Sequence, residues 1–305
     1  MSKKIILLAG PTASGKSKLA VHLAKKLNGE VINADSMQIY KEFSILSSRP
    51  NKIEIKRAKH HLYGIVSVKK YFSAGDWLKE AKKKINLCLK KKKIPIIVGG
   101  TGLYFNTITK GISKIPDIDS KTRAKVRNLF KKLGFKKFYE KLLKLDPKVK
   151  GKILPTDTQR TQRAYEVKLK TKKSLFDWIA NTKSDFLDFN LKKVFIDIPR
   201  AELLQKISKR IDLMFKQNCI AEVKKFNLLK INKSLSANKL IGVQEINRYL
   251  KGAISLDECK NLINIKTRQY AKRQNTWSRG HMENWTKLYS KNFSILSKKT
   301  LKAVS

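Results

Sequence analysis

Gly10-Pro11-Thr12-Ala13-Ser14-Gly15-Lys16-Ser17 sets two glycines, a lysine and a hydroxyl at the spacing G-x-x-x-x-G-K-S. Glycines let such a loop wrap closely, amide N–H groups face phosphate oxygens, Lys16 neutralises charge and the Ser17 hydroxyl can ligate Mg²⁺. The loop calls for a phosphate, without saying ATP. A hydrolytic loop of this kind also needs an acid that holds the metal. The apolar run Ile94–Val98 ends in Gly99 with no acid, and D-x-x-G occurs nowhere. Asp197, in the run Val194–Ile198, has two readings: a stand-in for that acid, or a pairing or capping residue. Asp35 likewise reads as a proton acceptor for an attacking amine or hydroxyl, or as the cap of a turn. Thr101, in Gly99-Gly100-Thr101-Gly102, reads as a hydroxyl facing a leaving phosphate or as the capping residue of a tight turn.

The elements that must position these residues follow from hydropathy. Ile5–Ala9 is a continuous apolar run, as expected of a strand buried on both faces. Leu19, Ala20, Leu23, Ala24 and Leu27 recur at helical spacing, and Asn28-Gly29 stops the helix. Val31–Ala34 predicts a second strand, with Asp35-Ser36-Met37-Gln38 at the carboxyl end where open α/β sheets bind ligands. Ser73 and Asp76 form a capping box for a helix with Trp77, Ala81, Ile85 and Leu89 on one face. Ile94–Val98 predicts the third strand. Val194–Ile198 returns to the sheet, Pro199 ends it, and Leu203, Leu204, Ile207, Ile211, Met214 and Phe215 line the next helix. The pattern predicts an α/β fold with a P-loop NTPase-like parallel sheet flanked by helices. Residues 1–116 and 191–305 form the catalytic core, its last hundred residues helical, and residues 117–190 form a helical, basic insertion domain.

Charge points to the partner. Lys and Arg number 69 against 23 Asp and Glu, a net charge of +46 over 305 residues, a field that concentrates polyanions. Residues 121–152 alone carry 13 Lys and Arg against Glu140 and Asp146. Nucleic acid or a heavily phosphorylated partner explains the excess; so does a lineage rich in lysine throughout. Cys88, Cys219 and Cys259 are odd in number and widely spaced, and the four histidines complete no ligand set with them. Such usage fits a reducing cytoplasm. The basic start at Met1 leads into an apolar run of only five residues, too short for a secretory core, and no stretch approaches the roughly 20 apolar residues of a membrane helix.

Six segments together resemble the bacterial tRNA dimethylallyltransferases, in register from residue 5 to about 280. They are Gly10–Ser17, Asp35–Lys41 (D-S-M-Q-I-Y-K), His60–Tyr63 (H-H-L-Y), Val98–Tyr104 (V-G-G-T-G-L-Y), Gln159–Val167 (Q-R-T-Q-R-A-Y-E-V) and Arg268–Trp277 (R-Q-Y-A-K-R-Q-N-T-W). The resemblance implies transfer of a five-carbon group from dimethylallyl diphosphate to N6 of the adenosine 3′ of the anticodon, with the anticodon stem-loop of tRNA as partner, Mg²⁺ as cofactor and a monomeric chain. It implies that Gly10 to Ser17, with Arg210, hold the diphosphate, and that Asp35 takes the amine proton. Thr101 then stands near the bridging oxygen, and Asp35, Ser36, Met37, Gln38, Thr101, Arg123, Gln159, Arg160, Thr161, Gln162 and Arg163 contact tRNA. A diphosphate leaving group also explains why no hydrolytic acid is needed.

Two segments depart from the family pattern. Leu240-Ile241-Gly242-Val243-Gln244-Glu245 lacks an aromatic and a lysine common in the family, and Thr276-Trp277-Ser278-Arg279 lacks an aromatic. Without the resemblance, Gln159, Gln162 and Arg163 read as a solvated helix face and Arg210 as half of an edge ion pair. Two other classes fit the bare motifs: a P-loop kinase of a nucleoside or small metabolite with Asp35 as base, and a basic RNA-binding protein with an inactive loop.

Overall fold

The computed structural model describes residues 3–305; Met1 and Ser2, at the basic start, lie outside them. Six strands, β1 Lys4–Ala9, β2 Gly29–Asn33, β3 His60–His61, β4 Ile94–Gly99, β5 Asn190–Ile196 and β6 Thr286–Leu288, form one sheet in the order β3-β2-β4-β1-β5-β6. Every pairing is parallel. The helices are α1 Lys16–Lys26, α2 Lys52–Arg57, α3 Ala74–Lys90, α4 Gly102–Thr109, α5 Ser120–Leu145, α6 Thr158–Thr171, α7 Leu175–Ala180, α8 Arg200–Lys216, α9 Cys219–Leu228, α10 Val243–Leu250, α11 Leu256–His281 and α12 Phe293–Val304.

Ile5 to Leu8 in β1 are fully buried, because parallel strands are covered on both faces. Ile6, Leu8, Val31, Ile96, Val98, Val194 and Ile196 pack against Leu19 and Leu23 of α1 and Leu296 and Val304 of α12. Each such side chain contributes roughly 1.5–3 kcal/mol of burial. The capping box of α3 forms as its residues predict, Ser73 accepting from the Asp76 amide and Asp76 from that of Ser73. Its buried face runs Trp77, Leu78, Ala81, Ile85 and Cys88, so Cys88 fills the place that spacing assigns to Leu89.

The chain divides into two compact units, one through Ile108 and from Asp188 onward, the other Thr109–Leu187. The second unit contains no strand and has its own core of Val126, Phe138, Leu142, Val149, Ile153, Ala164 and Tyr165. Three details depart from the sequence reading. The two-residue strand β3 is too short to show periodicity, and β6 falls in a segment read as helical. The return strand starts at Asn190 and ends at Ile196, leaving Asp197 outside it.

Candidate active site

The phosphate loop runs from the end of β1 to the start of α1. Gly15 adopts a left-handed conformation at φ 85° as N-cap of α1, with no side chain capping the helix. Its first amides are thus available to an anion. Ala13 is also left-handed, at φ 62°, a conformation that disfavours a Cβ and is tolerated where the surrounding structure fixes it. The buried Lys16 ammonium donates to the carbonyl of Pro11 at 3.0 Å. Desolvation pulls its pKa down to about 8, opposed by the charge of Asp35 and assisted by that of Arg210.

Arg210 reaches the loop from α8, donating from Nη1 to Thr12 Oγ1 at 2.7 Å. Its Nε and the Ser14 Oγ are buried without hydrogen-bond partners. Two unsatisfied polar atoms, a buried ammonium and an uncapped helix start fit an anionic group. The donors at the mouth of α1 are oxygens such as the Ser17 hydroxyl, the chemistry preferred by Mg²⁺ when phosphate oxygens complete its shell.

Asp35 stands just beyond β2. The buried Asn33 side chain accepts from the Asp35 amide at 2.8 Å and donates to the carbonyls of Asp35 and Leu62, both at 3.0 Å. Trp77 ties the strand end to α3 by donating to the Asn33 carbonyl at 2.8 Å, and it stacks on Tyr104 of α4. Asp35 Oδ1 accepts from the Met37 amide at 2.9 Å, leaving the second carboxylate oxygen for other work. Burial raises the pKa values of Tyr63, Tyr104 and Tyr270, and the Asp35 charge pushes each further up, so these phenols remain donors around the carboxylate.

Thr101 follows β4 at the same end of the sheet. Its Oγ1 accepts from the Ser36 amide at 2.9 Å and donates to Ser36 Oγ at 3.3 Å. This turn needs its glycines: a Cβ on Gly99 would lie 2.0 Å from the Ala34 carbonyl oxygen, and one on Gly102 would lie 2.2 Å from the Trp277 ring. Gln38 donates to the carbonyls of Ser47 and Ser48, both at 2.9 Å.

The core unit thus brings Gly10 to Ser17, Asp35 to Gln38, Thr101 and Arg210 to the carboxyl ends of the strands. Arg123 and Gln159–Arg163 lie on α5 and α6 of the helical unit. Arg123 Nε is buried and unpartnered, Gln159 and Arg160 are exposed, and Arg163 stands 3.5 Å from Glu166. Thr161 differs from its neighbours: it is buried, with its hydroxyl donating to the Thr158 carbonyl at 3.1 Å.

Several residues of the site have no role that the sequence assigns. Glu222 of α9 accepts the backbone amides of Ser44, Ile45 and Leu46 at 2.6–2.9 Å, fixing the loop that carries Ser47. Gln274 of α11 accepts from the Thr12 amide at 2.8 Å and donates to the Gly100 carbonyl at 2.9 Å. A cavity of about 530 Å³ between α8 and α11 is lined by Arg200, Arg268, Lys272 and Arg279 with Leu203 and Leu204, and no acid lines it. In the divergent segments, Ser278 is buried and bonded back to the Asn275 carbonyl, while Glu245 accepts from the Gly242 amide and pairs with Lys266.

The structure decides between the two readings of Asp197 and brings one cysteine beside a histidine. Asp197 is exposed and outside its strand, so it does not stand in for a hydrolytic acid. Cys88 does meet a histidine: Glu30, His61 and Cys88 are buried with their donor atoms within 4.8 Å. His61 Nε2 lies 2.6 Å from Glu30 Oε2 and the Cys88 thiol points to the same oxygen, a closed hydrogen-bond set between β2, β3 and α3.

A parallel sheet with a phosphate loop after β1, and a carboxylate and a hydroxyl beside it, defines a P-loop enzyme that works on a phosphorylated substrate. The family model described as IPP transferase matches residues 38–281, and the chain belongs to that family. It is 57% identical over 285 residues to the tRNA dimethylallyltransferase of Pelagibacter ubique, covering 93% of this chain and 91% of that one. It is 44% identical over 282 residues to the enzyme of the same name from Rickettsia massiliae, covering 92% and 78%. Among solved structures, the tRNA isopentenylpyrophosphate transferase of Bacillus halodurans superposes with a TM-score of 0.71 at 31% identity, covering 99% and 94%. A eukaryotic dimethylallyltransferase acting on tRNA gives 0.79 at 28% identity, covering 98% and 72%.

Proposed function

We propose that the chain transfers the dimethylallyl group of dimethylallyl diphosphate to N6 of the adenosine 3′ of the anticodon in tRNA and releases diphosphate. The observation that carries this reading is the convergence of an anion cradle, formed by Thr12, Lys16 and Arg210, with Asp35 and Thr101 beside it. In the reaction the N6–carbon bond forms as the allylic carbon–oxygen bond breaks, and the amine proton passes to Asp35. Charge then builds on the departing diphosphate, so Lys16, Arg210 and the α1 amides stabilise the transition state more than the ground state. Mg²⁺ bound beside Ser17 would add positive charge on the same oxygens.

An adenine stacked in an anticodon loop cannot reach Asp35, so the base must leave the stack, as base-modifying enzymes require. Ser36, Met37, Gln38 and Thr101 meet the flipped nucleotide, while Arg123, Gln159, Arg160, Gln162 and Arg163 of the basic helical unit hold the RNA. We assign Thr161 a helix-packing role, since its hydroxyl is already engaged. Three buried free cysteines suit a cytoplasmic enzyme, which we read as a monomer, and among the described residues no helix is long and apolar enough to cross a membrane.

Incubation of the purified protein with Mg²⁺, dimethylallyl diphosphate and unmodified tRNA should add one five-carbon prenyl unit to an adenosine, read by mass spectrometry of nucleosides. ATP turnover with unchanged tRNA mass would refute the reading in favour of a kinase. Salt-sensitive tRNA binding with neither reaction would refute it in favour of a binding protein.

A further inference from the structure

Gln274 holds both the phosphate loop and the Thr101 turn. Its carbonyl oxygen accepts the Thr12 amide at 2.8 Å, and its amide nitrogen donates to the Gly100 carbonyl at 2.9 Å. Thr12 in turn presents its hydroxyl to Arg210, and Gly100 precedes Thr101. The fit at Gly100 is tight, because a Cβ there would lie 2.1 Å from Gln274 Nε2. Three residues later on α11, Trp277 packs on Gly102.

We infer that Gln274 is a positioning residue, setting the diphosphate cradle against the Thr101 turn. The inference rests on the prenyl-transfer reading above. Cradle and turn both act on the departing diphosphate, the cradle on its phosphate oxygens and Thr101 near the bridging oxygen, so their spacing matters most when the allylic carbon–oxygen bond is stretched. An amide meets both demands at neutral pH. It offers an acceptor to Thr12 and a donor to Gly100 in one planar group, whereas a carboxylate would set a second acceptor against the Gly100 carbonyl and a thioether would satisfy neither partner.

The test uses the full-length protein with dimethylallyl diphosphate and tRNA. Gln274→Met, close in volume, should lower kcat by about 10- to 100-fold, the scale of a misplacement of about 1 Å at reacting groups, while the KM for tRNA stays within about twofold. Gln274→Glu keeps the Thr12 bond and regains the donor when protonated. Its rate relative to wild type should therefore rise as pH falls, while the Gln274→Met ratio stays flat. A Gln274→Met kcat within about twofold of wild type, or a Gln274→Glu ratio independent of pH, would overturn the inference. A helix-packing role alone would produce neither the kcat-specific loss nor the pH-dependent recovery. If wild-type protein itself adds no prenyl group, it is the underlying reading that fails.

Discussion

Lys16 offers a quantitative test of the anion cradle. Burial holds its pKa at about 8 in the free protein, because loss of hydration outweighs the attraction of Asp35. On that value about nine-tenths of the side chains are charged at about pH 7 and about one-tenth at about pH 9. When only the charged form makes the strong contact, the advantage of wild type over Lys16→Met in binding inorganic diphosphate falls about tenfold across that interval. The ratio is the informative quantity, since the ionisation of diphosphate affects both proteins equally. Calorimetric titration with Mg²⁺ and diphosphate would measure it. Wild type should also take up a proton on binding near about pH 9, seen as a dependence of the apparent enthalpy on the buffer. The stability effect has the opposite sign. A lysine depressed from 10.5 in the unfolded chain to about 8 in the folded one destabilises the fold below about pH 8, and this is relieved as pH rises towards 10.5. A binding ratio that stays constant from about pH 7 to 9, or absence of proton uptake, would refute the electrostatic role of Lys16.

Asp35→Asn keeps an acceptor for the Met37 amide but cannot take the amine proton; kcat should fall by about 10²- to 10⁴-fold while diphosphate binds as well or better, one nearby anion having been removed. Gly102→Ala should cost about 1–3 kcal/mol in chemical denaturation, because its Cβ meets the Trp277 ring, and the cost should shrink when Trp277 is also shortened. Glu222→Ala strands three backbone amides of the loop before Ser47 and should cost about 3 kcal/mol or more, with Glu222→Gln milder since one acceptor remains.

Where a physical requirement acts locally, the sequence shows it. A phosphate loop needs its glycines, lysine and hydroxyl within eight residues, and strands buried on both faces need apolar runs, so β1, α1, β2 and β4 are readable directly. The strands β3 and β6 pair only two and three residues at the sheet edges, too few for periodicity to register. The roles of Glu222 and Gln274 are opaque for another reason, although Gln274 lies in a segment that carries the family resemblance. Their partners lie 176–178 and 174–262 residues away, and a buried glutamate or glutamine on a helix looks like any solvated polar residue until its acceptors are located. Arg210 is legible only through the family resemblance, because its spacing next to Ile207 and Ile211 says nothing of the loop that it meets. The Glu30–His61–Cys88 set shows the converse, since residues scattered in sequence converge when two parallel strands and the helix α3 pack together.

Gly99 explains in steric terms why this phosphate loop serves transfer. At the end of the strand where a hydrolytic relative could carry an acid, any side chain would begin 2.0 Å from the Ala34 carbonyl oxygen. That approach is needed, because the Thr101 amide donates to the same carbonyl at 3.1 Å, bringing the Thr101 hydroxyl to the Ser36 amide. The backbone contact that aligns Thr101 beside Asp35 is thus incompatible with a carboxylate at position 99. What remains is a site with strong anion stabilisation at one side and a carboxylate at the other. On the proposed reading, such a site favours a reaction in which diphosphate departs and an amine loses its proton to Asp35.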